Sequence, residues 1–183
     1  GGRRRWPPAT SALLRECAAR DVDAMDALRM AVGTFSLDSD DAVPIVARVP
    51  VAIASYSRLR QGLEPLRPHG DLGHAANFLF MLTGEVPDPE RVRGLETYLN
   101  TVVDHGLNAS TFTARVITST GSDLVWAVVG ALGALKGPLH GGAPGPALDM
   151  VFESGQAERA EAVLREKIAR GERLMGFGHR IYK

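Results

Sequence analysis

The chain has 183 residues, of which 45% are hydrophobic and 23% are charged, and its 21 basic and 21 acidic residues give a net charge of zero. These values describe a globular protein with enough apolar residues for a core, and they argue against a protein that binds nucleic acid through charge alone. A single cysteine, Cys17, excludes an intramolecular disulfide and favours a reducing, cytoplasmic compartment. No run of about 18 apolar residues occurs, so no membrane-spanning helix is expected.

The apolar residues recur with helical spacing through most of the chain, and most of these segments begin at a residue that can cap a helix. Arg3, Arg4 and Arg5 beside Trp6 precede the first segment and predict a solvated N-terminal end. Seven expected helices each begin just after a capping residue. With the capping residue first and the end of the helix second, they are Thr10 or Ser11 to 20, Asp23 to about 35, Asp40 and Asp41 to 60, Asp71 to 84, Asp88 to 106, Asn108 or Ser110 to 121, and Ser122 or Asp123 to 137. Two more helices are expected over about 146–153 and 157–170.

Two of these segments carry more specific expectations. Pro50 lies inside the segment that ends at 60 and predicts a kink or a break there, because proline removes a helical hydrogen bond. The segment 123–135 is apolar on nearly all sides and is expected to be buried. Its Gly130 and Gly133 predict close approach to a neighbouring helix, since glycine inside a helix otherwise costs about 1 kcal/mol relative to alanine.

Neither a hairpin turn sequence nor a sustained apolar–polar alternation is present, so the predicted fold class is all-α. Helical patterning lapses only in the glycine- and proline-rich run 137–146, which we interpret as a hinge. The expected organisation is a large helical domain over 1–138 and the start of a smaller domain over 139–183.

His105, His140 and His179 each lie at a predicted helix end or loop with a glycine beside them, and these three are the candidate site histidines. Of the other two, His69 is expected to be an exposed loop residue, and His74 a core or interface histidine on its helix. Three such histidines could hold zinc, although no metal-binding spacing joins them. Nucleophile-elbow, Walker A and dinucleotide motifs are absent. The remaining chemistry is acid–base and electrophilic work on carbonyl groups, for which imidazole is suited.

The segments around these histidines resemble a known family. "DHGLNASTFTARV" (104–116), "GALKGPLHGGA" (133–143) and "MGFGHRIYK" (175–183) are similar, in content and order, to the three successive active-site segments of the citrate synthase family. "DLGHAANFLFMLTG" (71–84) is similar to the helix that precedes them. The resemblance implies a multihelical all-α fold and an acyltransferase that condenses acetyl-CoA with oxaloacetate and water to give citrate and CoA.

The resemblance also implies a role for each matching residue. His105 and Asn108 fall on the oxaloacetate side of the site. His140 matches the catalytic residue that hydrogen-bonds the acetyl-CoA carbonyl and stabilises the enol. His179 matches the catalytic histidine that hydrogen-bonds the oxaloacetate carbonyl and acts as an acid.

The remaining implied contacts are with CoA. The loop 175–178 matches the one that cradles the CoA adenine, and the last residue falls where a basic side chain contacts a CoA phosphate. The predicted CoA-binding residues are Met175, Gly176, Phe177, Gly178 and Lys183.

The resemblance further implies a homodimer, with 71–83 and 110–135 as interface helices. It implies no metal and no bound cofactor, because the CoA thioester is itself a substrate. Neither nucleic acid nor a membrane is an expected partner.

Two departures from the family pattern qualify the resemblance. The family's catalytic base is an aspartate downstream of the "GFGHR" segment, so we expect the 183 residues to be part of a longer protein and to be inactive alone. Asp149 and Glu153 lie near His140 in sequence but do not match that base. Pro144 and Gly145 stand where most bacterial members have Asn-Glu, which leaves open a 2-methylcitrate synthase acting on propionyl-CoA, or a catalytically inactive helical dimer.

Overall fold

The computed structural model describes residues 2–37, 41–104, 106–138, 140–142 and 144–177. These residues form α-helices and turns and contain no strand, which confirms the all-α fold class. The chain divides into two compact units, Gly1–Gly133 and Ala134–Lys183. After a short 3-10 turn at Gly2–Arg4, the helices are α1 Pro8–Ala19, α2 Ala24–Gly33, α3 Val43–Arg60, α4 His74–Thr83, α5 Pro89–Thr101, α6 Ala109–Ser119, α7 Leu124–Leu135, α8 Pro144–Ser154 and α9 Ala157–Ala169.

Four of the predicted capping residues begin their helices as expected. The side chains of Asp23, Asp88, Asn108 and Asp123 each accept a hydrogen bond, 2.6–3.0 Å long, from the backbone N–H two or three residues later. Such a bond satisfies one of the N–H groups that the first helical turn leaves without a partner. The starts of α2, α5, α6 and α7 are therefore encoded locally.

The start of α4 differs from the prediction, and so does the N-terminal end. Arg4 donates to the backbone carbonyls of His69 and Leu72, at 3.0 Å each. These contacts hold the segment before α4 in a non-helical conformation, and the helix begins at His74 rather than after Asp71. Arg3 and Arg5 are exposed as the sequence predicts, whereas Arg4 is half-buried and joins the N-terminus to a loop more than sixty residues away.

The predicted break at Pro50 is wrong, because α3 continues through it from Val43 to Arg60. Proline in a helix interior costs about 3 kcal/mol or more. Burial on both sides of α3 offsets this cost: Val51, Ala52, Ala54 and Tyr56 are all at most 5% exposed. Tertiary packing here overrides the local preference of one residue.

Helix α3 is the centre of the first unit and contacts α1, α2 and α4. On one side it packs with Leu14 and Cys17 of α1 and with small residues of α2. Burial raises the pKa of the Cys17 thiol, with a smaller contribution from Glu16. Cys17 is therefore the core thiol that its helical spacing predicts, since a buried apolar setting suppresses the reactive thiolate.

A pair of buried hydroxyl groups joins α1 to the end of α2. Thr10 is fully buried, and its Oγ1 lies 2.6 Å from Oγ1 of Thr34. Thr34 donates its own hydroxyl hydrogen to the carbonyl of Ala31 at 2.7 Å. Because a hydroxyl has one hydrogen to donate, Thr10 is the donor between the two threonines.

Helix α8 and helix α9 of the second unit are joined by charge. The Nζ of Lys167 lies 2.7 Å from a carboxylate oxygen of Glu153 and 3.3 Å from one of Glu172. The hydrogen bond to Glu153 is the largest cause of a raised Lys167 pKa. Glu153, close to His140 in sequence, is therefore engaged in joining these two helices.

Helix α7 is less buried than its apolar sequence predicts. Val125 and Ala127 are buried, but Trp126 is 64% exposed. The close approach expected at Gly130 is confirmed, since a Cβ built there would lie 2.2 Å from Cδ1 of Ile117 on α6. The same construction at Gly133 meets nothing within 4 Å. Neither α7 nor any other helix within the described ranges has the length and hydropathy needed to cross a membrane.

Candidate active site

The predicted site residues fall into three groups. His105, Gly178, His179 and Lys183 lie outside the described residues. Asn108 lies in the first compact unit. The second unit contains His140 together with the described part of the predicted CoA loop, 175–177.

His140 lies on a tight turn directly after α7. Its own backbone N–H donates to the carbonyl of Gly137 at 2.9 Å, and the N–H of Gly142 reaches the same carbonyl at 3.3 Å. Between them, the N–H of Gly141 donates to the carbonyl of Leu135, the last residue of α7, at 2.9 Å. The bond to Leu135 satisfies a carbonyl that the end of α7 leaves without a partner, and the three bonds together fix the backbone that carries the half-buried His140.

The two glycines after His140 are required by lack of space. A Cβ at Gly141 would lie 2.2 Å from the carbonyl oxygen of Leu135 and 2.8 Å from its Cδ1. A Cβ at Gly142 would lie 2.9 Å from Cα of Pro138. Neither Gly141 nor Gly142 has a positive φ. The usual reason for a glycine in a turn, that it tolerates a left-handed backbone conformation, therefore does not apply here. The contact adds Leu135 to the residues that position His140, and no sequence pattern indicated it.

Left-handed glycines do occur in the other two segments. Gly106, next to the predicted oxaloacetate ligand, has φ 61°, and its N–H donates to Asp104 at 3.1 Å. Two residues later Asn108 caps α6, with its Oδ1 2.9 Å from the backbone N of Thr111. Residues 106–108 thus run from a left-handed glycine straight into a helix cap.

The predicted CoA loop follows α9 and bends back to α8. Gly176 has φ 86°, and a Cβ built there would lie 3.4 Å from Cβ of Ala147 on α8. Phe177 is 63% exposed. Within the second unit, this loop therefore contacts the helix that follows the His140 turn and presents an aromatic ring to its surroundings.

The remaining two histidines lie where the sequence predicts them, His69 in an exposed loop and His74 on α4. The ring of His69 packs edge to face against Phe80, with 5.7 Å between the centroids. His74 is half-buried at the start of α4. Its pKa is lowered by burial and, to a smaller extent, by the charge of Arg4. Both side chains belong to the packing around α4 in the first unit.

The segments, their order and the all-α architecture agree with the class of protein that comparison with known families gives. The family model described as "Citrate synthase, C-terminal domain" matches residues 1–183. The chain belongs to the citrate synthase family.

Curated relatives agree with this assignment. The chain is 45% identical over 175 residues to citrate synthase 2 of Bacillus subtilis, a match that covers 89% of this chain and 47% of that protein. It is 46% identical over 169 residues to the 2-methylcitrate synthase of Mycobacterium tuberculosis, covering 87% of this chain and 43% of that protein. The chain thus spans about half the length of the curated relatives it matches.

Solved structures give the same result. The citrate synthase of Pyrobaculum aerophilum superposes with a TM-score of 0.87 at 38% identity, over 99% of this chain and 50% of that one. A ternary complex of citrate synthase from Thermoplasma acidophilum with carboxymethyl coenzyme A and oxaloacetate superposes with a TM-score of 0.79 at 30% identity, over 98% of this chain and 50% of that one.

We expect Gly141→Ala to destabilise the whole protein by about 1–3 kcal/mol, because its methyl group would overlap the backbone oxygen of Leu135. Gly133→Ala is the control, since Gly133 lies on α7 just before the turn and a Cβ there meets nothing within 4 Å. Urea unfolding of both variants measures the difference. Equal stability of the two variants would show that the turn has more room than the structure gives it.

Proposed function

We propose that the protein containing these residues condenses acetyl-CoA with oxaloacetate and water to give citrate and CoA. The observation that carries this proposal is the turn after α7, in which two glycines without room for a side chain fix the backbone of His140. The family assignment and the substrate-like ligands named for the Thermoplasma acidophilum complex support the same chemistry.

The role proposed for His140 is to donate a hydrogen bond to the thioester carbonyl of acetyl-CoA. Removing a proton from the neighbouring methyl group places negative charge on that oxygen, and a pre-oriented donor stabilises the charge without reorganising. A neutral imidazole can provide such a donor. Rigidity of the turn matters because a donor that must move into place loses part of this advantage.

The oxaloacetate side is proposed to involve Asn108, His105 and His179. The Oδ1 of Asn108 already accepts a backbone N–H at the start of α6. Its amide nitrogen is then the group left to bind a ligand, and it can only donate. The carboxylate and ketone oxygens of oxaloacetate accept hydrogen bonds. The capping bond therefore leaves Asn108 with its amide nitrogen, which can donate to them. The roles of His105 and His179 rest on the family resemblance.

On the CoA side, the proposed ligands are Met175, Gly176, Phe177, Gly178 and Lys183. The positive φ of Gly176 and the exposure of Phe177 support an open loop whose backbone a flat adenine ring can approach. We propose no metal and no bound cofactor, because the thioester brings its own activation to the reaction.

The assembly that we propose is a homodimer. Helix α6 buries no residue among those described, and Phe112, Val116 and Trp126 on α6 and α7 are 49–64% exposed. Apolar side chains exposed together on neighbouring helices favour a covered surface in the complete protein. A reducing, cytoplasmic compartment is in keeping with the single buried Cys17.

Catalysis is tested most directly on the two histidines of the proposed mechanism. We expect His140→Ala and His179→Ala in the full-length protein each to lower turnover by about two to four orders of magnitude, the range for losing a positioned donor or acid. His69→Ala is the matched control and keeps nearly wild-type turnover. Citrate formation with acetyl-CoA and oxaloacetate measures all three, and unchanged turnover in either catalytic variant would refute that residue's role.

The second candidate is a 2-methylcitrate synthase, favoured by the 46% identity to the Mycobacterium tuberculosis enzyme. Pro144 and Gly145, which begin α8 just after the His140 turn, are the local difference from most bacterial members. We expect the full-length protein to have a higher kcat/KM for acetyl-CoA than for propionyl-CoA. A clear preference for propionyl-CoA, measured at saturating oxaloacetate, would replace the first proposal with the second.

We also propose that the isolated 183 residues are inactive, because no carboxylate in them matches the family's base. Without a positioned base, the proton on the methyl carbon stays in place even when His140 is correctly oriented. The test is citrate formation by a protein shown by intact mass to end at Lys183. Turnover by that protein would mean that a carboxylate within these residues serves as the base.

A further inference from the structure

The first unit contains a cavity of about 990 Å³ that no part of the proposed reaction uses. The N-terminal residues, α1, α3 and the loop after α3 line it. Its apolar wall includes the ring of Trp6 together with Leu14 and Val51. Four arginines and one glutamate provide its charged groups, an excess of three positive charges.

The four arginines are not equivalent. Arg15 forms a two-pronged ion pair with Glu64, and Arg4 donates to backbone carbonyls. Arg5 and Arg67 are exposed, and neither forms a hydrogen bond or ion pair with any residue in the described ranges. Two guanidinium groups at one cavity are therefore available to an anion.

A buried hydroxyl gives the cavity a polar group of its own. Ser55 on α3 lines the cavity and is 1% exposed, and its Oγ has no hydrogen-bond partner among the described residues. A buried hydroxyl without a partner is costly, because it loses its hydrogen bonds to water without replacement. An oxygen of a bound ligand would satisfy it.

We propose that this cavity binds a small organic molecule that bears phosphate groups, with the phosphates at Arg5 and Arg67 and the apolar body against Trp6. Guanidinium groups pair with phosphate oxygens through two parallel hydrogen bonds, which makes arginine the preferred residue for such groups. The aromatic and aliphatic wall favours a ligand with an apolar part. The site lies in a different compact unit from His140 and does not depend on the proposed reaction.

The experiment is calorimetric titration of the full-length protein with two probes, inorganic tripolyphosphate and phenyl phosphate. We expect Arg5→Gln combined with Arg67→Gln to weaken binding of both probes by about tenfold or more, since two charge-assisted contacts are lost. Arg91→Gln combined with Arg93→Gln is the matched control. It removes the same charge from two exposed arginines of α5 and leaves affinity unchanged.

Two further variants separate a ligand site from a structural one. Glu64→Gln frees Arg15 and removes the cavity's negative charge, so we expect tighter binding of tripolyphosphate. Ser55→Ala should weaken binding while leaving the unfolding temperature the same or higher, because the hydroxyl has no hydrogen-bond partner among the described residues. Weaker binding to Glu64→Gln than to the unmodified protein would overturn the charge argument.

The remaining outcomes distinguish this site from the proposed CoA site. Each titration is repeated with saturating CoA. If CoA abolishes probe binding, and the combined Arg5 and Arg67 variant binds the probe as tightly as the unmodified protein does, the probe binds at the CoA site and the proposal is wrong. The proposal would also be overturned if neither probe bound, or if benzene-1,3,5-tricarboxylate bound more tightly than both probes. Citrate formation by the same variant is expected to be normal in the absence of probe, so failure of the proposed reaction would show separately.

Discussion

The packing of the first unit depends on one constraint, the narrow surface of α3 along residues 51–56. Ala52, Ala54 and Ser55 are each at most 1% exposed, and their small side chains let α1, α2 and α4 approach one helix from several sides. A larger residue at Ala54, which has no exposed surface, would push the neighbouring helices apart. The same crowding keeps Pro50 within a continuous helix.

A second close approach governs the candidate site. The turn that carries His140 closes against the end of α7 because Gly141 has no Cβ, and its N–H reaches the carbonyl of Leu135. The end of a helix must find partners for its last carbonyls, and here the segment that carries His140 provides one of them. The same close contact therefore ends α7 and places His140, which explains why two glycines follow the histidine.

Local sequence patterns are sufficient to predict the start of a helix where the capping interaction is itself local. Asp23, Asp88 and Asn108 act on backbone groups two or three residues away, so their patterns predicted helix starts correctly. The start of α4 depends on Arg4, a contact across more than sixty residues that no local pattern encodes. For the site, motifs indicated His140 and its glycines, whereas the reason for the glycines became visible only with the backbone of Leu135 in place.

The exposed apolar side chains of α6 and α7 are another feature that local sequence patterns do not explain. Phe112 and Trp126 are 60% and 64% exposed, although helices with this pattern ordinarily face a core. Covering the exposed part of these two side chains, about 60% of each, contributes about 2–4 kcal/mol at the usual values for burying a large apolar group. A domain is stable by only about 5–15 kcal/mol, so a surface of this size is a large part of the total. The described residues can define these helices and cap them, but the stability of the pair depends on whatever surface covers it in the complete protein.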